Sequence, residues 1–107
     1  MRPIQLVGVD KIRPVLVITR EEVRPYLNGI TVAPITSTVR GMATEVAVGR
    51  QNGLDHASVV NCDAITTVSA SELGRVIGYF LPSQEMALSR AIEAAFDLVT
   101  LWDDRPS

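Results

Sequence analysis

The period of the apolar side chains changes once along the chain, at Ser83, and that change fixes the class of fold. Before it, apolar residues come in short runs rich in valine, isoleucine and threonine. After it, Leu88, Ala91, Ile92, Ala95, Phe96 and Val99 recur at helical spacing. The first part therefore predicts strands over residues 3–7, 14–19, 30–36, 43–49 and 74–81, with 57–68 as one long strand or two short ones. Residues 14–19 form a continuous β-branched run, as in a strand buried on both faces. Pro14 suits its first position, where no ladder donor is needed. Pro34 marks an edge or a bulge in the third run. Residues 21–24 read as a helical turn ended by Pro25, and Asn28-Gly29 as a turn. Residues 69–73 read as another single helical turn. The second part predicts one helix, with Ser83 as N-cap and Glu85 in the first turn to complement the helix dipole. Tyr79, Phe80 and Phe96 are expected in the core.

Several short strands and one terminal helix make a mainly β domain, a small and strongly bent sheet or barrel with the helix packed on it. The whole of 1–107 reads as one domain with a polar tail from about residue 102. A barrel this small has no room inside for a ligand. A functional site is therefore expected in a surface groove or at a subunit interface.

Composition removes several function classes. No apolar run approaches the ~18–20 residues of a membrane span, and charge and glycine interrupt any signal-peptide core. The expected location is the cytoplasm. A single cysteine, Cys62, excludes an internal disulfide framework. One cysteine and one histidine do not supply a four-ligand zinc site. His56 sits in the turn-like "NGLDHAS" and reads as a solvated loop residue. Net charge is −2, yet residues 1–50 carry +3 and residues 51–107 carry −5. A basic half can host a polyanion while the whole molecule stays acidic.

Three segments gather polar groups at strand ends: Asp10-Lys11-Ile12-Arg13, Thr36-Ser37-Thr38-Val39-Arg40 and Asn61-Cys62-Asp63. Arginine is a planar, always-charged fork suited to phosphate oxygens. The hydroxyls of "TST" can donate to the same oxygens, and Asp63 can accept a proton. Each group also has an ordinary reading: a solvated charge, loop chemistry, a turn between two short strands. No glycine-rich nucleotide loop is present. On these residues alone the reading stops at a small β-rich domain with a candidate anion site.

The ordered set "RPVLVI", "VAPITST", "SVVNCD" with "TTV" after it, and "LGRVIG" ahead of a terminal helix resembles the MazF/PemK (Kid) toxins of bacterial toxin–antitoxin pairs. The resemblance spans nearly the whole chain, and its wording is nearest the mycobacterial and actinobacterial branch. It implies an SH3-like, strongly bent β-barrel with a C-terminal helix, assembled as a homodimer. It implies an endoribonuclease, a sequence-specific mRNA interferase that needs no metal or cofactor. Such an enzyme cuts single-stranded messenger, ribosomal or transfer RNA, leaving a 2′,3′-cyclic phosphate and a 5′-hydroxyl. Translation inhibition and growth arrest follow, and a cognate antitoxin blocks the groove. The family's catalytic positions fall on Arg13, Thr36 and Asp63. Asp10, Lys11, Ser37, Thr38, Arg40 and Asn61 are the expected RNA contacts.

The sequence departs from the family pattern in three places. Asn61 replaces an arginine, Gly8 stands where some members have glutamate, and the first strand and its loop are short. These departures bear on base choice and catalytic efficiency. Two other readings share the fold: a degenerate member that only binds antitoxin or RNA, and a gyrase poison of the CcdB type. The latter relies on a terminal Trp-Gly-Ile, whereas Trp102 here precedes Asp103-Asp104.

Overall fold

In a computed structural model, which describes residues 1–8 and 11–99, the described part is a bent antiparallel sheet followed by a helix. The strands are β1 (Pro3–Val7), β2 (Arg13–Val17), β3 (Gly29–Thr36), β4 (Glu45–Val48), β5 (Ser58–Asn61), β6 (Thr66–Ser69) and β7 (Leu73–Tyr79); the helix is α1 (Glu85–Phe96). The sheet order is β4-β5-β3-β2-β1-β7, with β6 also paired to β3. The expected mainly β fold with a terminal helix is thus present, although the sheet is strongly bent rather than closed.

The bend originates in β3, which serves two partners along one edge. Residues Gly29 to Val32 pair with β6, and Ile35 and Thr36 pair with β5. Pro34 lies at the changeover, where its missing N–H leaves no ladder bond unmade. It marks a seam inside the sheet, not an outer edge. The run 57–68 is accordingly two short strands, split by a 3₁₀ turn at Cys62–Ala64.

Strand β2 is buried on both faces, as its continuous apolar run requires. Leu16 packs into one cluster with Ile4, Ala33, Val60, Cys62, Phe80 and Leu88. Val15 and Val17 pack into the other with Ile30 and Val32. Burying Leu16 completely contributes about 1.5–3 kcal/mol.

Helix α1 covers the first cluster through Leu88 and Ala91, with Ile92 and Ala95 partly buried beside them. Its start is held by Arg2, whose Nε donates to Glu85 at 2.9 Å while its guanidinium also reaches the Ile18 carbonyl. Ser83 is not the N-cap. It lies in a 3₁₀ turn, Pro82–Gln84, and Gln84 caps the helix without a side-chain bond to it. The Gln84 side chain is turned toward Asn52 and the Leu81 N–H instead. Only Phe80 of the three expected core aromatics is buried. Tyr79 is 47% exposed because it alternates outward on an edge strand, and Phe96 is 54% exposed because it lies off the helix face that Leu88, Ala91, Ile92 and Ala95 turn to the cluster. Val99 is exposed as well. No described helix is long and apolar enough to cross a membrane. Asp10 and the polar tail with Trp102 lie outside the described residues.

Candidate active site

An open groove of about 750 Å³ crosses one end of the sheet. Strand β2 contributes Arg13 and Pro14, β3 contributes Ile35 and Thr36 with Ser37 just after it, and β7 contributes Arg75, Val76 and Ile77. The loop between β4 and β5 supplies Gly53 to His56, and Ser58 opens β5 beside it.

Arg13 is the first residue of β2 and is exposed. The strand behind it is packed from both sides, so the backbone that carries the guanidinium is fixed. Thr36 ends β3. Its Oγ1 accepts the Thr38 N–H at 3.1 Å. That contact uses a lone pair and leaves the hydroxyl proton for an anion. Ser37 follows on the groove wall. Among the described residues, neither Arg13 nor Arg75 forms a salt bridge. Among the described residues, the groove lining therefore holds two guanidinium groups outside any salt bridge, with Asp55 as its one carboxylate.

The loop that carries Asp55 and His56 is held from beneath. Asn52 is fully buried. Its Nδ2 donates to the Tyr79 carbonyl at 3.0 Å and to Gln84 Oε1 at 2.7 Å, and its Oδ1 accepts the Gly49 N–H at 3.1 Å. Gly53 takes φ +87°, and a Cβ there would stand 2.2 Å from the Ile77 carbonyl oxygen. A side chain is excluded on both counts. Further along, Arg50 Nε donates to the Asp55 carbonyl at 3.2 Å and Ser58 Oγ to the His56 carbonyl at 3.1 Å. Asp55 and His56 thus stand exposed on a backbone that is anchored before, within and after them.

The site residues expected from sequence separate into two groups. Arg13, Thr36 and Ser37 share the groove. Asp63, Asn61 and Arg40 gather instead around Thr44 and Glu45. Asp63 Oδ2 accepts the Thr44 hydroxyl at 2.6 Å, and the Asp63 N–H donates to Asn61 Oδ1 at 2.9 Å. The Glu45 carboxylate accepts the backbone N–H groups of Arg40, Gly41 and Met42. The cause is strand geometry. Ser58 at the start of β5 borders the groove, whereas Asn61 at its end pairs with Glu45. Three steps of about 3.3 Å separate them, roughly 10 Å. Asp63 therefore does not line the groove beside Arg13 and Thr36. Thr38 and Lys11 are exposed on loops flanking it. Gly8, where some relatives of the resembled family carry glutamate, has φ +129°, and a Cβ would lie 2.0 Å from the Lys11 carbonyl oxygen.

Arg75 is absent from the site residues expected from sequence, and His56, read there as a solvated loop residue, lines the groove. Arg75 sits in an ordinary strand pattern, "LGRVIG", with no local mark. His56 carried a signal in retrospect: the "NG" before it demands a left-handed residue and so a defined loop. The thiol of Cys62 is pushed up to about 11 by burial and, secondarily, by the neighbouring Asp63 charge, so it is an inert core group. Among the described residues, no three His, Cys, Asp or Glu side chains gather as a metal-ligating set.

Residues 6–96 match the family described as PemK-like, MazF-like toxin of type II toxin-antitoxin system. The chain is 60% identical over 98 residues to Endoribonuclease MazF3 of Mycobacterium tuberculosis, covering 92% of this chain and 95% of that protein. The solved Mycobacterium tuberculosis toxin MazF-mt6 superposes with a TM-score of 0.89 at 58% identity, over 92% of this chain and 100% of that one. A mycobacterial endoribonuclease solved in complex with its cognate antitoxin shares the fold, with a TM-score of 0.81 at 23% identity over 92% and 94% of the two chains. With the family match spanning all of the helix and the sheet apart from the start of β1, the chain belongs to the PemK/MazF-like toxins of type II toxin–antitoxin systems.

Proposed function

We propose that this chain is the toxin of a toxin–antitoxin pair and acts as a metal-independent, sequence-specific endoribonuclease on single-stranded RNA. The observation that carries the reading is the meeting of Arg13 and Thr36 in one open groove, each with its donors directed to no carboxylate among the described residues. The nucleophile is the substrate's own 2′-hydroxyl, which attacks the adjacent phosphorus. The protein's task is to align that attack and to stabilise charge on the phosphorane oxygens. The Arg13 guanidinium holds two of those oxygens, and the Thr36 hydroxyl donates to one. The products are a 2′,3′-cyclic phosphate and a 5′-hydroxyl. DNA lacks the 2′-hydroxyl, so it is bound and not cut.

Sequence choice falls to groups along the flank: Ser37, Thr38, Arg40, Asn61 and Lys11, with Asp10 in the adjoining loop. Asp63, held by Thr44, acts there as a contact for bases. The protein works as a homodimer in the cytoplasm. Its antitoxin, whose existence is supported by the antitoxin-bound fold relative, covers the groove until the pair separates. RNA cleavage then stops translation and growth.

The test incubates purified protein and Arg13→Ala with a long single-stranded RNA in EDTA and maps 5′ ends by primer extension. Cuts at one recurring short sequence, with 5′-hydroxyl ends and loss of activity in the variant, are expected. Uncut RNA from a folded, antitoxin-free protein overturns the nuclease reading in favour of a binding protein or a gyrase poison.

A further inference from the structure

We infer that His56 is the general acid of the cleavage, the group that protonates the departing 5′-oxygen; the inference rests on the endoribonuclease reading above. Three observations meet at this residue. His56 lines the groove that holds Arg13 and Thr36. Its backbone is fixed by the Ser58 hydroxyl at 3.1 Å and by the buried Asn52 anchor before it. Among the described residues lining the groove, it is the one imidazole, a ring that can present an N–H to an oxygen. Asp63, expected from sequence as a proton acceptor, does not line the groove and is bound to Thr44.

The placement suits the geometry of the reaction. The attacking and leaving oxygens lie in line on opposite sides of phosphorus. Arg13 and Thr36 stand on strands β2 and β3, and His56 stands on the loop that forms a separate wall. A phosphate held by Arg13 and Thr36 with its leaving oxygen directed at this loop meets the in-line requirement. In the step, a lone pair of the 2′-oxygen forms the new bond to phosphorus, and the 2′-hydroxyl proton passes to water. The bond from phosphorus to the 5′-oxygen breaks, and its electron pair stays on that oxygen. The oxygen takes the proton of the His56 imidazolium, which is later restored from solvent. The charged groups facing His56 are Arg13 on β2, Arg75 on β7 and Asp55 on its own loop.

A modified leaving group separates this role from a structural one. An RNA cut by the wild-type protein is prepared with oxygen, or with bridging sulfur, at the scissile 5′ position. A thiolate leaves without being protonated. Single-turnover cleavage by His56→Gln and His56→Asn is compared with wild type, after far-UV circular dichroism and thermal melting confirm an unchanged fold. The expected result is a loss of about 10²- to 10⁴-fold on the oxygen substrate, with the sulfur substrate cut at the wild-type rate. Equal losses on both substrates, or no loss on either, overturn the inference and leave the nuclease reading standing. Failure of the wild-type protein to cut any RNA overturns both.

Discussion

Asn52 is fully buried and does not line the groove, yet replacing it is expected to cost both stability and activity. Asn52→Ala removes the donor to the Tyr79 carbonyl and the acceptor of the Gly49 N–H. Tyr79 has no alternative across the ladder, because the next residue, Phe80, directs its N–H to Arg2 on the β1 side and the Tyr79 carbonyl points away from β1. Gln84 keeps its bonds to Leu81 and Ala47. Two part-buried backbone groups are thus orphaned. At about 1–2 kcal/mol for each, the loss is about 2–4 kcal/mol. A domain of this size holds about 5–15 kcal/mol in all, so the variant still folds. With a urea m-value of about 1–3 kcal/mol/M, its unfolding midpoint falls by about 1–3 M. The same change releases the loop that carries Asp55 and His56, so RNA cleavage falls while RNA binding through Arg13 persists. Urea unfolding, amide exchange at Gly49 and single-turnover cleavage are measured together. Gln51→Ala, an exposed neighbour in the same turn, serves as control and stays within about 0.5 kcal/mol of wild type. A loss below about 1 kcal/mol in Asn52→Ala, with exchange at Gly49 unchanged, refutes the claim that this side chain anchors the loop.

Three further outcomes are expected. Leu16→Ala empties a position fully enclosed between the sheet and α1 and lowers unfolding stability by about 2–5 kcal/mol, read by urea titration. Arg75→Ala removes one of the two arginines lining the groove; affinity for a non-cleavable 2′-deoxy strand falls, and the slope of log K against log salt shrinks by about 0.7. Cys62 resists iodoacetamide in the folded protein and reacts once urea unfolds it. Its thiol also makes stability depend on pH in the alkaline range. The folded value, about 11, exceeds the ordinary 9.0, so between these the unfolded chain has lost a proton that the folded chain keeps. Stability is complete below pH 9.0 and declines as pH rises toward 11, by up to about 1.4 kcal/mol per pH unit. Cys62→Ala abolishes that component of the alkaline decline.

Legibility followed the range of the interactions. The strands and the helix were readable because apolar periodicity is local, and β2 could be placed between two packed layers because its run is unbroken. Arg13, Thr36 and Ser37 were found because they stand at strand ends with chemistry to match. The N-cap was misplaced because Gln84 is drawn away by Asn52, more than thirty residues earlier in the chain. Asp63 looked like a partner of Arg13 because sequence order does not show which end of β5 borders the groove. Arg75 and His56 come to the site only through pairing of β1 with β7 and through the Gly53 turn. Neither contact leaves a local trace beyond an "NG" dipeptide.

The pairing of β1 with β7 joins Pro3 to Tyr79 and brings the two ends of the sheet's chain path together. Since Leu6 lies on one of these strands and Arg75, Val76 and Ile77 on the other, the groove has no such wall until both have been made. A ribosome adds residues in order, from the amino end. Arg13 and Thr36 leave the exit tunnel early, on a sheet whose β1 edge is still bare. A nascent chain stopped before Leu73 carries both residues and lacks the surface that opposes them. Completion of synthesis is therefore what arms the molecule, and a partial product released from the ribosome is harmless to the RNA that encoded it. Chains truncated at residue 72, assayed for RNA cleavage beside the full-length protein, put this to the test: cleavage by the truncated chain would rule it out.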